Sequence, residues 1–275
     1  MKTKNLIEEN YITLTKTEKK IANFLLADQN YLIINMTLQE LSKELGLGEA
    51  SIIRFCRKMG FRGFQDLKVS LAIENAKDEE TGVQEEVDSV QTMETMVQVI
   101  KNTNDGIRKK KIQDAVRMIE EKEQIFFYGA GSSGFTAEIA EARLLRVGKR
   151  CKAVKDSHLQ TIQAAVMDSS DLVIGISISG TTNDLFQALK TAKDNGCTLI
   201  VITNHENSPI AKLADCVLMT HAPENPVTGG TFISVVSQLY VLDVLFSSYT
   251  AQNWQKTHSY REKVAISINE KLEEK

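Results

Sequence analysis

The stretch "IFFYGAGSSGFTAE", residues 125–138, decides how this chain is read. Four apolar or aromatic residues run into a glycine turn, two serines follow, and a helix-like run begins. A short apolar run closed by glycine reads as a buried strand. Gly129, Gly131 and Gly134 then give the spacing G-x-G-x-x-G. At a strand–helix junction that spacing lets backbone approach a phosphate at the positive end of a helix. Alone, the pattern leaves three occupants open: a dinucleotide, a compact phosphate, or nothing, with the serines only capping a helix.

Moving outward, the rhythm is strand–helix alternation. Strands are expected at "IFFY" (125–128), "CKAV" (151–154), "DLVIGIS" (171–177), "TLIVIT" (198–203) and "CVLMT" (216–220). Near-continuous apolar strands alternating with helices predict an α/β domain: a five-stranded parallel sheet flanked by helices, a flavodoxin-like or Rossmann-like sandwich. A dinucleotide site calls for an acidic residue about 20 positions on, and Asp156 lies 25 residues after Gly131. Two features argue for a compact phosphate instead. Ser132 and Ser133 place hydroxyls where a helix starts. A second strand–turn–helix loop, "SISGTTND" (177–184), offers Ser177, Ser179, Thr181 and Thr182. There Gly180 lets the backbone come close, and the helix from Thr182 adds its positive end. Two such loops at the C-terminal ends of parallel strands can converge on one phosphate monoester without Lys or Arg.

Residues 1–75 read as helices only. "TKTE" at Thr15 and "TLQE" at Thr37 are capping boxes, in which the threonine hydroxyl and the glutamate three residues on satisfy each other's backbone amides. Gly46 stops the second helix. In the next, "EASIIRFCRKMGF", Ile52, Phe55, Cys56 and Met59 recur at core spacing, which leaves Ser51, Arg54 and Lys58 outward with Arg57 beside them. Two short helices joined at a glycine, the second basic, fit a helix–turn–helix whose second helix enters a major groove. Thr37 and Gln39 on the preceding helix would face the duplex backbone. A helical docking domain with a solvated basic face fits the same spacing.

The residues also carry a resemblance. "LQELSKELGLGEASIIRFCRKMGFRGFQDLKVSL" (38–71) resembles the N-terminal domain of the RpiR family of bacterial transcriptional regulators, through Arg54 to Lys58 and Gly60 to Phe64. One departure is Gly48, where the family has a serine N-cap; glycine there costs only a few tenths of a kcal/mol. "FYGAGSSG", "DLVIGISISGTTND", "TLIVITNHENSPIAKLAD" and "SVVSQLYVLDVLF" together resemble a SIS (sugar isomerase) domain. The resemblance implies a regulator that binds a double-stranded DNA operator and a phosphosugar effector, and that works as a dimer or tetramer. It puts the phosphosugar at Ser132, Ser133, Ser177, Ser179 and Thr182; the reading of the two loops adds Gly131, Gly180 and Thr181, with His158 near a sugar hydroxyl. It predicts no cofactor and no catalytic residue. The alternative is a phosphosugar isomerase, with His158, His205, Glu206, His221 and Glu224 as candidate bases.

Composition agrees with a soluble protein: 275 residues, 42% apolar, 25% charged. No apolar run is expected to span a bilayer, and the first 20 residues lack a signal-peptide core. Cys56, Cys151, Cys197 and Cys216 show no paired spacing, which points to reduced thiols, no metal cluster and a cytoplasmic setting. Residues 1–75 hold 11 Lys and Arg against 9 Asp and Glu, although the whole chain is at −3. The expected organisation is a DNA-binding domain over 1–75, an acidic linker over 76–91, and the SIS domain with its leading helices over 92–275.

Overall fold

The computed structural model describes residues 3–28, 32–80, 89–223 and 232–273. They fall into two compact units, one within residues 1–92 and the other within 93–222 and 232–275.

The first unit is helical: α1 (Thr3–Asn10), α2 (Lys16–Ala27), α3 (Leu38–Leu45), α4 (Glu49–Lys58) and α5 (Phe64–Glu80). Both capping boxes form. The Thr15 hydroxyl accepts from the Glu18 amide at 3.3 Å, and the Glu18 carboxylate accepts from the Thr15 amide at 2.8 Å. Thr37 and Glu40 repeat the pattern. Gly46 takes φ +59°, and the Leu47 amide returns to the Ser42 carbonyl, closing α3 as a left-handed cap does. Ile21, Leu25, Leu41, Ile52, Phe55, Cys56 and Leu67 are buried in one core. The buried Glu74 of α5 accepts the Thr3 amide, and the Thr3 and Ser70 hydroxyls lie 2.8 Å apart, so α1 is pinned to α5 by polar contacts.

Of the linker expected over 76–91, residues 81–88 lie outside the described residues, and both flanks are helical. Helix α5 runs on to Glu80, and α6 (Ser89–Gly106) starts inside the expected linker. Acidic residues without an apolar stripe still have good helix propensity, which is why a pattern-based reading ended α5 too early. The leading helices expected before the sheet are α6 and α7 (Lys109–Glu121), parted at Gly106. A side chain at Gly106 would collide with the His221 ring.

The second unit carries the expected parallel sheet: β1 (Gln124–Gly129), β2 (Arg150–Val154), β3 (Asp171–Ile176), β4 (Thr198–Thr203) and β5 (Cys216–Met219), in the order β2-β1-β3-β4-β5. Helices α8 (Ser132–Leu145), α9 (Ser157–Ala164), α10 (Asn183–Asp194), α11 (Ile233–Gln252) and α12 (Trp254–Glu273) complete the unit. On one face, Ile125, Phe127, Ile174 and Ile202 pack with α7, α8 and α11. Phe127 meets Phe246 edge-on at 6.2 Å. On the other, Phe126, Val173 and Val201 pack with α9 and α10. Because both faces are covered, the strands need apolar residues at every position. By length and composition alone α11 could cross a membrane, contrary to the sequence-based expectation. Its Val241, Leu242, Leu245, Phe246 and Tyr249 are instead buried in the first of these layers.

Candidate functional site

The sheet order sets the geometry of the candidate site. β1 sits between β2 and β3, and the chain leaves β1 and β3 toward opposite faces: α8 joins the layer with α11, α10 the layer with α9. The crevice at such a switch point is where ligands bind in doubly wound folds. Gly129 pairs with Ile176, so both strands end at the same level. The loops that follow, 130–131 and 177–182, are the two picked out in the sequence.

In the first loop Gly131 holds φ +55° as the N-cap of α8. Gly129 and Gly134 let strand and helix touch: a side chain at Gly129 would lie 2.6 Å from the Ser133 carbonyl oxygen. The glycines therefore serve close packing as much as a ligand. Ser132 is exposed, whereas Ser133 is buried against α11. In the second loop the Ser177 hydroxyl accepts from the Gly180 amide at 3.1 Å and lies 3.3 Å from the Thr182 hydroxyl. The Ser179 hydroxyl accepts from Thr181. Gly180 takes φ +62°, and a side chain there would collide with Ser208. The loop is seated from below: the Thr203 hydroxyl and Asn204 amide bond the Ile178 carbonyl, and the Ile210 amide bonds that of Gly180.

No Lys or Arg belongs to either loop. An anion here would be drawn by hydroxyls, first-turn amides and helix ends. Asp156, the acidic residue a dinucleotide would need for its ribose, caps α9 by accepting the Leu159 amide at 2.8 Å. His158 is exposed on the first turn of α9. Of the other candidate bases, Glu206 pairs loosely with Arg108 at 3.9 Å and the His221 amide donates to Thr103. Glu224 lies outside the described residues. Among the described residues no three His, Cys, Asp or Glu side chains gather as a metal site. Burial pushes the Cys56 and Cys151 thiols up to about 12, well away from thiolate chemistry.

Two glutamines escaped the sequence reading. Gln160, fully buried on α9, donates to the carbonyls of Gly129 (3.0 Å) and Val154 (2.7 Å), fixing the ends of β1 and β2. Gln238, equally buried, comes from α11 to the Ser133 hydroxyl. Gln238 left a signal, a single amide among the apolar residues of α11; Gln160, on the polar helix α9, left none.

On the first unit, α3 and α4 meet across Gly46 as a helix–turn–helix. Arg54 and Arg57 are exposed on α4, and Arg54 donates to the Ser51 hydroxyl at 2.9 Å. Lys58 is exposed beside Arg54, and its side chain also reaches α2. Its ammonium donates to the Glu18 carboxylate at 2.7 Å and to the Thr13 carbonyl at 3.2 Å. Lys58 foremost, then the Thr15 amide, holds the Glu18 carboxyl below the usual carboxylate range. The Thr37 hydroxyl, expected at the duplex backbone, is engaged by Glu40 on both its donor and acceptor sides. Gln39, two residues after Thr37, is half-buried.

A helix–turn–helix unit joined to a doubly wound unit with hydroxyl-lined loops at its switch point defines a class: transcriptional regulators that carry a SIS domain. Residues 1–78 match the helix–turn–helix domain of the rpiR family, and residues 118–248 match the SIS domain. The chain belongs to the RpiR family of transcriptional regulators. It is 36% identical to an HTH-type transcriptional regulator of Haemophilus influenzae, over 92% of this chain and 94% of that one. It is 28% identical to the HTH-type transcriptional regulator RpiR of Escherichia coli K12, covering 93% and 88%. Among solved structures, the Vibrio vulnificus NanR protein complexed with ManNAc-6P superimposes with a TM-score of 0.87 at 26% identity, over 97% of this chain and 98% of that one. The relatives are regulators, so this chain is a regulator and not an isomerase.

Proposed function

We propose that the second unit binds a phosphosugar at the β1/β3 switch point, and that this binding sets the affinity of α4 for an operator. The phosphate would lie between the first turns of α8 and α10, held by Ser132, Ser133, Ser177, Ser179, Thr181 and Thr182, with Gly131 and Gly180 allowing close backbone approach. His158 would reach the sugar. The observation that carries this reading is the level pairing of Gly129 with Ile176, which brings two hydroxyl-rich loops out of adjacent strand ends. The ManNAc-6P bound to the NanR relative supports the same ligand class. Arg54 and Arg57, with Ser51 and Gln39, would face DNA. The working unit is a dimer or tetramer in the cytoplasm, divided into a DNA-binding domain, a connector and a SIS domain close to the expected boundaries. A phosphosugar changes operator affinity only as far as it binds the two arrangements of the oligomer unequally.

Ser177→Ala combined with Ser179→Ala tests the ligand site. Hydroxyl bonds to a charged group contribute about 1.5–3 kcal/mol each. The double variant should keep its unliganded melting temperature and lose the stabilisation that a cognate sugar phosphate gives the parent. An undiminished ligand-induced shift would overturn the assignment.

A further inference from the structure

We infer that Gln238 is a positioning residue that makes Ser133 an obligate donor toward the bound phosphate, an inference that rests on the phosphosugar reading above. The observation is a buried polar chain from α11 into the first turn of α8. The Thr136 hydroxyl donates to Gln238 Oε1 at 2.8 Å, and Gln238 Nε2 donates to Ser133 Oγ at 2.8 Å. Ser133, Thr136 and Gln238 are 7%, 0% and 1% exposed. Thr136 also lies 3.3 Å from the Ser132 carbonyl, a longer contact.

The direction of these bonds matters. A serine hydroxyl has one hydrogen and two lone pairs. With the amide of Gln238 donating to one lone pair, the Ser133 hydrogen is left to point elsewhere, and no acceptor for it exists among the described residues. A phosphate dianion can only accept. Were the amide reversed, Ser133 would donate to Gln238 and present lone pairs to the anion. Thr136, by donating to Oε1, holds the amide in the productive sense. An amide buried in the apolar α11 would otherwise be costly, and here it reaches across to Ser133 and Thr136, three residues apart on α8.

A double-mutant cycle tests this, with calorimetric affinities for the tightest binder among ribose 5-phosphate, glucosamine 6-phosphate and N-acetylmannosamine 6-phosphate. Ser133→Ala should weaken binding roughly 10–100-fold, as expected for one lost bond to a charged group. Gln238→Met, similar in volume, should weaken it about 10-fold in the parent and leave Ser133→Ala unchanged, because it acts through that hydroxyl. Thr136→Val, nearly isosteric, should weaken binding about threefold in the parent alone; it carries the test if Gln238→Met does not fold. Equal losses from Gln238→Met or Thr136→Val with and without the Ser133 hydroxyl would overturn the inference. Normal loss in the Ser177 and Ser179 variants at the same time would keep the site while rejecting the relay. If no panel member binds the parent, the phosphosugar reading and the relay fall together.

Discussion

Lys58 and Arg54 sit four residues apart on one helix face, yet the structure gives them different work. Arg54 is exposed and donates to Ser51. Lys58 locks α4 to the capping box of α2. Arg54→Ala should therefore weaken operator binding by roughly 1–3 kcal/mol if it reads a base edge, visible as a gel shift that separates specific from random duplexes. Glu18→Gln should leave DNA contacts in place and reduce stability by about 1 kcal/mol, through a weakened ion pair and cap. Its pH dependence follows from sign. The folded carboxyl sits below its ordinary value of 4.5. Its contribution is complete above that value and is lost as pH falls through the lowered one. Urea titrations of parent and Glu18→Gln should thus differ at neutral pH and converge once the pH has fallen below the lowered value. A gap that persists in acid would assign the effect to packing.

At the scale of elements, the seat under the second loop is the most exacting feature. A methyl at Gly180 must accept φ +62° and displace Ser208. Left-handed backbone with a side chain costs about 1–2 kcal/mol before any collision. Gly180→Ala should lower the melting temperature and abolish the phosphosugar shift together, measured in one thermal scan; a normal ligand shift would show that the loop backbone is not part of the site. Strands β1 to β5, both capping boxes and the Gly46 stop were legible because each rests on local rules: continuous apolar runs, a Thr–Glu pair, a backbone that needs positive φ. The contact of Lys58 with α2, the engagement of the Thr37 hydroxyl, and the roles of Gln160 and Gln238 were not legible. Each is set by a partner on another element or by competition with a cap, and helical spacing carries no record of that. The extension of α5 to Glu80 was missed because an acidic stretch without an apolar stripe can still propagate a helix.

For the whole molecule, one helix–turn–helix contacts too few base pairs to choose an operator among a genome of competitors. A two-fold assembly that reads successive half-sites supplies the difference. The second unit has apolar surface to spare: Phe135, Ile139, Leu159, Ile162 and Val166 are all about half exposed or more. Light scattering on residues 105–275 should give a dimer or larger, and a monomer at micromolar concentration, with and without sugar phosphate, would leave association to the first unit. The strand order has a further consequence, for synthesis on the ribosome. The first unit's core is complete once residue 72 has emerged. The central sheet pair joins residues 124–129 to 171–176, so the scaffold of the ligand loops cannot begin to close until another hundred residues are made. Helical, locally connected units fold early and non-local parallel pairing folds late. During translation a nascent chain therefore passes through a stage in which the reading head is folded and its sensor is not, an interval in which no metabolite can govern it.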